Sequence, residues 1–349
     1  MPVASWCVIR PQNQHVSLTD VAKKAGVTPS IVSRLLNEDP TLRVRPVTRE
    51  RILDAVSSLG YAPNFAGRAL RLARTGALGL IVPDVTSPIY MDLRRGVEWA
   101  AKQHGYLVLM GNADELELPD GFYSRLIAER RIDGVLLQRT EYINDANFWR
   151  VAQTDLPTVL VNSRLTKWTG SVILDDERGA ALATRHLIDL GHTRIGLIGG
   201  PRTLDWTARR RKGFTQAMRE ANLPVQWMAA GGHEADTGRA AMERVLAQSP
   251  MPTAVVVANV LSAVGALTAV LNAGLTVPRD LSIIALHDTW LAEHTQPALT
   301  TVRLPLYELG VKAVEMLLDR IRTNRSCNYR VKEPAPQLIA RGSTAPPAL

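Results

Sequence analysis

The chain has 349 residues, of which 46% are hydrophobic, and its formal net charge is +8. This length is too great for one compact core and predicts two or three domains. No apolar run could span a bilayer, and residues 1–16 lack the apolar centre of an export signal, so they are expected to form a disordered tail on a cytoplasmic protein. Cys7 and Cys327 lie near opposite ends, which predicts neither a disulfide framework nor a metal site.

The positive charge is concentrated near the start of the chain. Residues 1–75 hold eleven Lys and Arg against five Asp and Glu, whereas residues 76–349 hold thirty against twenty-eight. A basic module ahead of a nearly neutral body is typical of a phosphate-binding segment attached to a separate regulatory domain. A generally basic, solvated surface is the alternative, but it does not explain this concentration.

Two short helices are predicted between Ser17 and Asn37. Ser17 precedes apolar residues at helical spacing and is the expected N-cap of the first helix, which Gly26 ends. Thr28 supplies a second capping hydroxyl, and Pro29 suits the first position of the second helix. Two helices joined by a tight glycine turn predict a DNA-binding helix-turn-helix, with a helical hairpin inside an ordinary core as the alternative.

The second helix of such a motif enters the DNA major groove with its first residues. The side chains predicted to face base edges or phosphates are those of Pro29, Ser30, Ser33 and Arg34. After a proline-containing loop at 38–46, Thr48 is expected to cap a third helix at 49–59.

Residues 63–75 predict a short linker helix that is capped by Asn64 and carries Arg68 and Leu70. A helix of this length is unstable alone and should form only on a partner. Leu70 is either a buried contact or a wedge between base pairs of the minor groove, and the local sequence favours the buried contact.

From Gly76 onward, short apolar strands alternate with amphipathic helices. This pattern predicts an α/β fold with parallel sheets, in which ligands bind at the carboxyl ends of the strands. The predicted strands are 78–82, 106–110, 134–137, 158–161, 171–174, 195–198, 254–257 and 282–286, and the predicted helices include 91–104, 178–190, 208–221, 237–247 and 261–273.

The common enzyme motifs are missing from the sequence. Gly79, Gly196, Gly199 and Gly200 form neither a G-x-G-x-x-G nor a P-loop, and neither G-x-S-x-G nor H-E-x-x-H occurs. The seven histidines are scattered, and His192 is expected to be a loop residue. We therefore predict no catalytic residues, no metal site and no cofactor.

Several motifs resemble the lactose-repressor/galactose-repressor (LacI/GalR) family of bacterial transcription regulators, from about Ser17 to Thr344. In chain order they are L-T-D-V-A-K-K-A-G-V-T-P-S-I-V-S-R-L-L-N, T-R-E-R-I, L-G-Y-A-P-N, G-L-I-V-P-D, R-I-D-G-V-L-L, H-L-I-D-L-G-H-T-R-I-G-L-I-G-G-P, L-T-T-V and A-R-G-S-T. Each motif alone is weak evidence, but their order and spacing favour this family strongly.

The resemblance implies an all-α helix-turn-helix headpiece at 17–62, a hinge helix at 63–75 and a core at 76–344 with a periplasmic-binding-protein-like fold. In that fold two parallel-sheet subdomains surround a cleft. The chain is expected to cross between them near Asp175, Arg303 and Glu333, so that a helix at 307–321 returns to the first subdomain. Residues 345–349 show no leucine heptad, which favours a dimer over a tetramer.

Family members bind palindromic operators as dimers and insert paired hinge leucines into the centre of the site. Leu70 occupies that position here, so the resemblance favours its role as a wedge. The loop at 38–46 is about two residues longer than is usual, which puts its phosphate contacts in doubt. The residues expected to bind DNA are Ser17, Leu18, Thr19, Thr28, Pro29, Ser30, Ser33, Arg34, Asn37, Asn64, Arg68 and Leu70.

The resemblance also implies an effector site in the cleft, at residues that each have a structural alternative as core, cap or surface. His287, beside Asp288, replaces the family's usual acidic ligand residue. An imidazole cannot accept two sugar hydroxyls but suits an acidic ligand such as a sugar acid or phosphate, so the pocket is expected to be less sugar-like than is usual. The resemblance as a whole leads us to expect a sugar, a sugar acid or a nucleoside-like molecule as the effector. The expected effector residues are Tyr90, Gln138, Asn162, Trp206, Arg210, Asn259 and His287.

The expected function is a repressor whose operator affinity changes when a small metabolite alters cleft closure and moves the hinge segments. A solute-binding transport protein shares the core fold but would need an export signal and no headpiece. An enzyme with a DNA-binding appendage is disfavoured by the missing catalytic motifs. A regulator controlled by a protein partner remains as an alternative.

Overall fold

The computed structural model describes residues 16–37, 39–61, 74–113, 122–140, 154–165 and 168–348. The chain forms two compact units, Met1–Arg74 and Thr75–Leu349. The predicted tail at 1–15 and the predicted hinge residues Asn64, Arg68 and Leu70 lie outside the described residues. Among the helices that are described, none combines the length and apolarity needed to cross a bilayer.

The first unit contains three helices, α1 (Leu18–Ala25), α2 (Pro29–Leu36) and α3 (Pro46–Leu59). Ser17 caps α1 through a reciprocal pair of hydrogen bonds with Asp20, and Gly26 ends the helix in the left-handed conformation at φ +65°. A small core that includes Val21, Val32 and Ile52 holds the three helices together. The predicted helix-turn-helix is therefore present.

Two predictions about caps in this unit are wrong. Helix α3 begins at Pro46, not at 49, because proline presets the helical φ and lacks the N–H that would be unpaired there. Thr48 lies inside the helix, where its backbone N–H donates to Arg45 O at 2.9 Å. Thr28 does occupy the N-cap position of α2, but its side chain makes no capping hydrogen bond.

The second unit contains two six-stranded sheets. The first sheet has the order β11-β5-β4-β3-β1-β2, and every pair in it is parallel. Its strands are β1 (Ala77–Val82), β2 (Leu107–Asn112), β3 (Gly134–Leu137), β4 (Thr158–Val161), β5 (Ser171–Leu174) and β11 (Tyr329–Val331).

The second sheet has the order β12-β10-β9-β8-β6-β7 and is parallel except for the antiparallel pair of β10 with β12. Its strands are β6 (Ile195–Gly199), β7 (Met228–Ala230), β8 (Ala254–Val257), β9 (Ser282–Leu286), β10 (Thr300–Arg303) and β12 (Gln337–Ile339).

Helices cover these sheets, as the alternating pattern predicts. They are α4 (Tyr90–Gln103), α5 (Phe122–Ala128), α6 (Asp176–Asp189), α7 (Asp205–Glu220), α8 (Ala235–Leu246), α9 (Val260–Asn272), α10 (Trp290–Glu293) and α11 (Leu306–Thr323). The chain changes sheet after β5, after β10 and after β11, and α11 packs against α4 of the first subdomain. The three predicted crossings and the return of the helix near 307–321 are confirmed.

In two helix pairs of the second unit the helices approach each other backbone to backbone at glycines. A Cβ added to Gly213 of α7 would lie 1.9 Å from the Glu177 carbonyl oxygen of α6. A Cβ on Gly96 of α4 would lie 2.0 Å from the Tyr307 carbonyl oxygen of α11. Only glycine permits these approaches, and the first of them fixes the position of α7, which carries Arg210.

Candidate functional site

The start of α2 is exposed to solvent. Thr28, Pro29 and Ser30 lie in solvent, whereas Ser33, Arg34 and Asn37 are partly buried. A helix start that presents small side chains to solvent has the form needed to enter a major groove, and Arg34 lies one turn further along the same helix. Ser17 and Thr19 are also exposed, and Leu18 is partly buried, at the start of α1.

Arg34 is oriented by the loop that follows α2. Its Nε donates to Asp39 Oδ2 at 2.7 Å, and its Nη2 donates to the Thr41 hydroxyl at 2.9 Å. The hydrogen bond from Arg34 lowers the pKa of the Asp39 carboxyl to about 2. The Arg34 side chain keeps 42% of its surface exposed, so the guanidinium is held but not covered.

The seven predicted effector residues are all buried and come from both subdomains. Tyr90 begins α4, while Gln138 and Asn162 directly follow β3 and β4 of the first sheet. On the second subdomain, Trp206 and Arg210 lie in α7, and Asn259 and His287 closely follow β8 and β9. The Gln138 amide Nε2 lies 3.3 Å from the Tyr90 hydroxyl, so these two residues are neighbours.

A network of ion pairs between α6 and α7 lies in the second subdomain, and one hydrogen bond from it reaches the first subdomain. Asp176, the fully buried first residue of α6, accepts from Arg209 Nη2 at 2.7 Å and from Arg210 Nε at 2.8 Å. Arg209 also pairs with Asp205 and donates from Nη2 to Asn162 Oδ1 at 2.8 Å. Burial opposes ionisation of Asp176, but the charges of Arg210 and Arg209 outweigh it and lower the pKa of this carboxyl.

Arg210 is held on three sides. Besides Asp176, it donates from Nη1 to Ala258 O at 2.6 Å and from Nη2 to His287 Nε2 at 2.8 Å. Its guanidinium carbon also lies 4.5 Å from the centroid of the Trp206 ring. The Arg210 guanidinium, which is expected to bind a ligand, therefore already donates three of its five N–H groups to partners within the protein.

His287 is neutral at ordinary pH because burial, followed by the charge of Arg210, lowers the pKa of its imidazole to about 3. The residue has a left-handed backbone at φ +65°, which aims its side chain from the end of β9 toward Arg210. Its Nδ1 atom is buried and has no hydrogen-bond partner among the described residues. The neighbouring Asp288 instead binds Thr301, Arg303 and Arg341.

Trp206 and Trp290, which lie on segments of the second subdomain, differ in position. Trp206 is buried and lies 5.6 Å, centroid to centroid, from His233, whose pKa burial and the charge of Arg210 lower to about 4. Trp290 is 56% exposed and contacts His294. Only Trp206 therefore belongs to the described cluster around Arg210.

Asp176, Arg209, Asp205 and His233 are members of this cluster that the sequence interpretation missed. The adjacent acidic pair Asp175 and Asp176 directly after a buried strand was the available signal, because that is where a parallel sheet presents polar groups. His192, as predicted, lies in the loop after α6, where it binds Thr253 and Ala345. Within the described ranges no cluster of His, Cys, Asp and Glu could hold a metal ion.

Comparisons with known proteins identify the family. The model of bacterial regulatory proteins of the lacI family matches residues 17–64, and the model of the periplasmic binding protein-like domain matches residues 184–344. The HTH-type transcriptional repressor PurR of Klebsiella pneumoniae (strain 342) is 34% identical over 94% of this chain and 97% of its own length.

Two solved structures agree with this relationship. The lac repressor dimer bound to operator and the anti-inducer ONPF has a TM-score of 0.80 and 26% identity, and the match covers 95% of this chain and 100% of that one. A LacI family transcriptional regulator from Mycobacterium smegmatis has a TM-score of 0.73 and 43% identity over 78% of this chain and 100% of its own. The chain belongs to the lacI family of bacterial regulatory proteins, and it is a ligand-responsive DNA-binding transcriptional repressor and not an enzyme.

Proposed function

We propose that the chain binds a palindromic operator as a dimer and that a small metabolite in the cleft controls the affinity for that operator. In this proposal residues 17–62 form the DNA-binding headpiece, 63–75 the hinge and 76–344 the effector-binding and dimerisation core. Pro29, Ser30 and Arg34 contact base edges, and the other predicted headpiece and hinge residues contact phosphates or the minor groove.

One observation carries the effector half of the proposal. Asn162 of the first subdomain and Arg209 of the second are joined by a 2.8 Å hydrogen bond, in the same network that holds Arg210 and His287. A ligand bound at this network contacts both subdomains, so its binding energy depends on how they are closed. Differential binding to two arrangements is what a ligand needs to shift an equilibrium between them.

Two relatives with similar structures have small sugars bound. One solved relative is a complex of the transcriptional regulator CelR with cellobiose, and another is a LacI family transcriptional regulator from Enterococcus faecium with bound ribose. A cleft that binds a small metabolite is therefore the function that we infer for Tyr90, Gln138, Asn162, Trp206, Arg210, Asn259 and His287.

The proposal is tested by selecting duplexes from a random DNA library with the purified full-length protein at moderate salt. The expected result is enrichment of an inverted repeat that is bound by a dimer. Analytical ultracentrifugation of the complex measures the mass of the bound protein. Enrichment of no sequence, or of a single unrepeated half-site bound by a monomer, would contradict the proposal.

A further inference from the structure

Three polar side chains of the cleft, those of Asn162, Asn259 and His287, share one hydrogen-bond polarity once their partners inside the protein are assigned. A backbone N–H or a guanidinium N–H can only donate a hydrogen bond. A side-chain atom bonded to either group must therefore be an acceptor, and this fixes which end of an amide or imidazole ring is left for a ligand.

Both asparagines of the cleft use their carbonyl oxygen within the protein. Oδ1 of Asn259 accepts from the Ser262 backbone N–H at 2.9 Å, as the N-cap of α9. Oδ1 of Asn162 accepts from Arg209 Nη2 at 2.8 Å and from the Leu174 backbone N–H at 3.3 Å. The end of each side chain that can bind a ligand is consequently its NH₂ group, which donates.

The imidazole of His287 has the same polarity. Arg210 Nη2 lies 2.8 Å from Nε2, and because a guanidinium cannot accept, Nε2 must be the unprotonated acceptor. The neutral ring then carries its proton on Nδ1. This N–H is buried without a partner among the described residues, and an acceptor atom on a ligand would satisfy it.

The carboxylates near the cleft are already engaged as acceptors. Asp176 accepts from Arg209 and Arg210, Asp205 accepts from Arg209, and Asp288 accepts from Thr301, Arg303 and Arg341. A polyol needs an acceptor for the hydrogen of each hydroxyl, and among the uncharged side chains of the predicted effector site our assignment leaves the Gln138 carbonyl oxygen and the Tyr90 hydroxyl oxygen for this. A carboxylate or phosphate oxygen carries no such hydrogen and accepts only.

We propose that the effector is a small organic anion whose carboxylate or phosphate oxygens accept hydrogen bonds from His287 Nδ1, from the amides of Asn162 and Asn259 and from Arg210. This inference rests on the proposed effector function of the cleft. It also assigns His287 the opposite role to the acidic residue that it replaces, because His287 donates where a carboxylate would accept.

The test is calorimetric titration of the full-length protein with matched pairs of ligands. The pairs are glucuronate and glucose, galacturonate and galactose, and glucose 6-phosphate and glucose, so that carboxylate and phosphate are examined separately. We expect at least one anion to bind about tenfold or more tightly than its neutral partner. Equal or tighter binding of the neutral partner, or binding by none of the anions, overturns the proposal.

Two substitutions of His287 sharpen the test. Asp and Asn both tolerate the left-handed backbone of this position, so the variants differ in polarity and little in strain. His287→Asp replaces the donor with an acceptor and should weaken binding of the anion about tenfold or more, whereas His287→Asn keeps an N–H donor and should lose less. Equal losses in the two variants, with circular dichroism confirming that both are folded, would contradict the donor role.

Failure of this inference is distinguishable from failure of the proposed function. A neutral metabolite that changes the affinity for the selected duplex contradicts only the anionic class. A duplex affinity that no metabolite of either class changes contradicts effector control itself.

Discussion

Arg34 is oriented by hydrogen bonds within its own unit. The loop after α2 supplies Asp39 and Thr41, which bind Nε and Nη2 of Arg34 and leave the remaining N–H groups of the fork for other acceptors. The sequence comparison with the family put the phosphate contacts of this longer loop in doubt. The structure gives the loop a different task, which is to orient the side chain that we propose for base recognition.

Replacing Arg34 with Ala should weaken binding to the selected duplex roughly tenfold to hundredfold, because a bidentate contact with a guanine edge discriminates strongly between bases. Binding to random DNA should fall much less. Fluorescence anisotropy on both duplexes measures the two losses, and Lys24→Ala, an exposed cation at the end of α1, is the control expected to weaken both about equally. If Arg34→Ala lost the same affinity for both duplexes, Arg34 would contact a phosphate and not a base.

His287 predicts a pH dependence of stability. Its folded-state pKa of about 3 lies below the value near 6.5 of an unfolded histidine, so the unfolded chain binds one more proton between these pH values. The free energy of unfolding should therefore fall as the pH falls from about 6.5, by about 1.4 kcal/mol per pH unit for this residue alone.

Urea unfolding of the wild type and of His287→Asn at several pH values between 7 and 5 isolates this contribution, because every other titrating group is common to both proteins. The free energy of unfolding should fall less steeply with falling pH in the variant than in the wild type. The difference between the two slopes should be about 1.4 kcal/mol per pH unit, which corresponds to one proton. Identical slopes would mean that His287 titrates normally in the folded protein.

At the scale of single residues, the sequence locates cleft side chains but not their partners. Asn259 and His287 follow apolar strands, so their position at a sheet edge could be predicted. Their polarity could not, because it depends on Ser262 and on Arg210, whose contacts arise only when the chain has folded. The link between Asn162 and Arg209 spans two subdomains and has no sequence signal.

At the scale of elements, the fully buried strands were predicted to within about two residues because continuous apolar runs of this length are distinctive. The short strands β7, β10, β11 and β12 were missed. Strands β7 and β12 lie at sheet edges and are only partly buried, so no apolar pattern marks them. Helix α3 began earlier than predicted because the N1 signal of Pro46 was overlooked.

The contact between α6 and α7 yields a prediction at this scale. In Gly213→Ala the new Cβ would meet the Glu177 carbonyl oxygen at 1.9 Å, so the helices must separate. We expect a loss of about 1–3 kcal/mol in the free energy of unfolding, as for overpacked cores, together with weaker effector binding because α7 carries Arg209 and Arg210.

Denaturant unfolding and calorimetric titration measure the two effects of Gly213→Ala. Gly342→Ala is a matched control, since its added Cβ would have its nearest neighbour at 3.5 Å, an ordinary contact. If Gly213→Ala proved as stable as Gly342→Ala, the result would contradict the close backbone contact between α6 and α7.

At the scale of the whole molecule, the chain crosses between the two sheets of the core three times, so neither subdomain is an independent segment of the sequence. Asp176 of the ion-pair network lies two residues after β5, at the first of these crossings, so the network lies beside a connection that both subdomains share. The resemblance to the family predicts that the hinge at 63–75 transmits a change at this network, with Leu70 as the residue that deforms the operator.

Leu70→Ala should reduce bending at the operator centre, because alanine is too short to separate stacked base pairs. The mobility of circularly permuted duplexes measures the bend angle. Affinity for random DNA should change little, since the wedge matters only where the hinge enters the minor groove. An unchanged bend angle would contradict the wedge role and favour the alternative, in which Leu70 is a buried contact.

The most direct measurement of the central claim is the affinity of the full-length protein for its selected duplex with and without a metabolite that binds the core. We predict a change of roughly fivefold to hundredfold, matched by an equal change in metabolite affinity when the duplex is present, because coupling between two sites is reciprocal. If the protein binds that duplex no better than random DNA, or if metabolite and duplex bind independently, the account is contradicted.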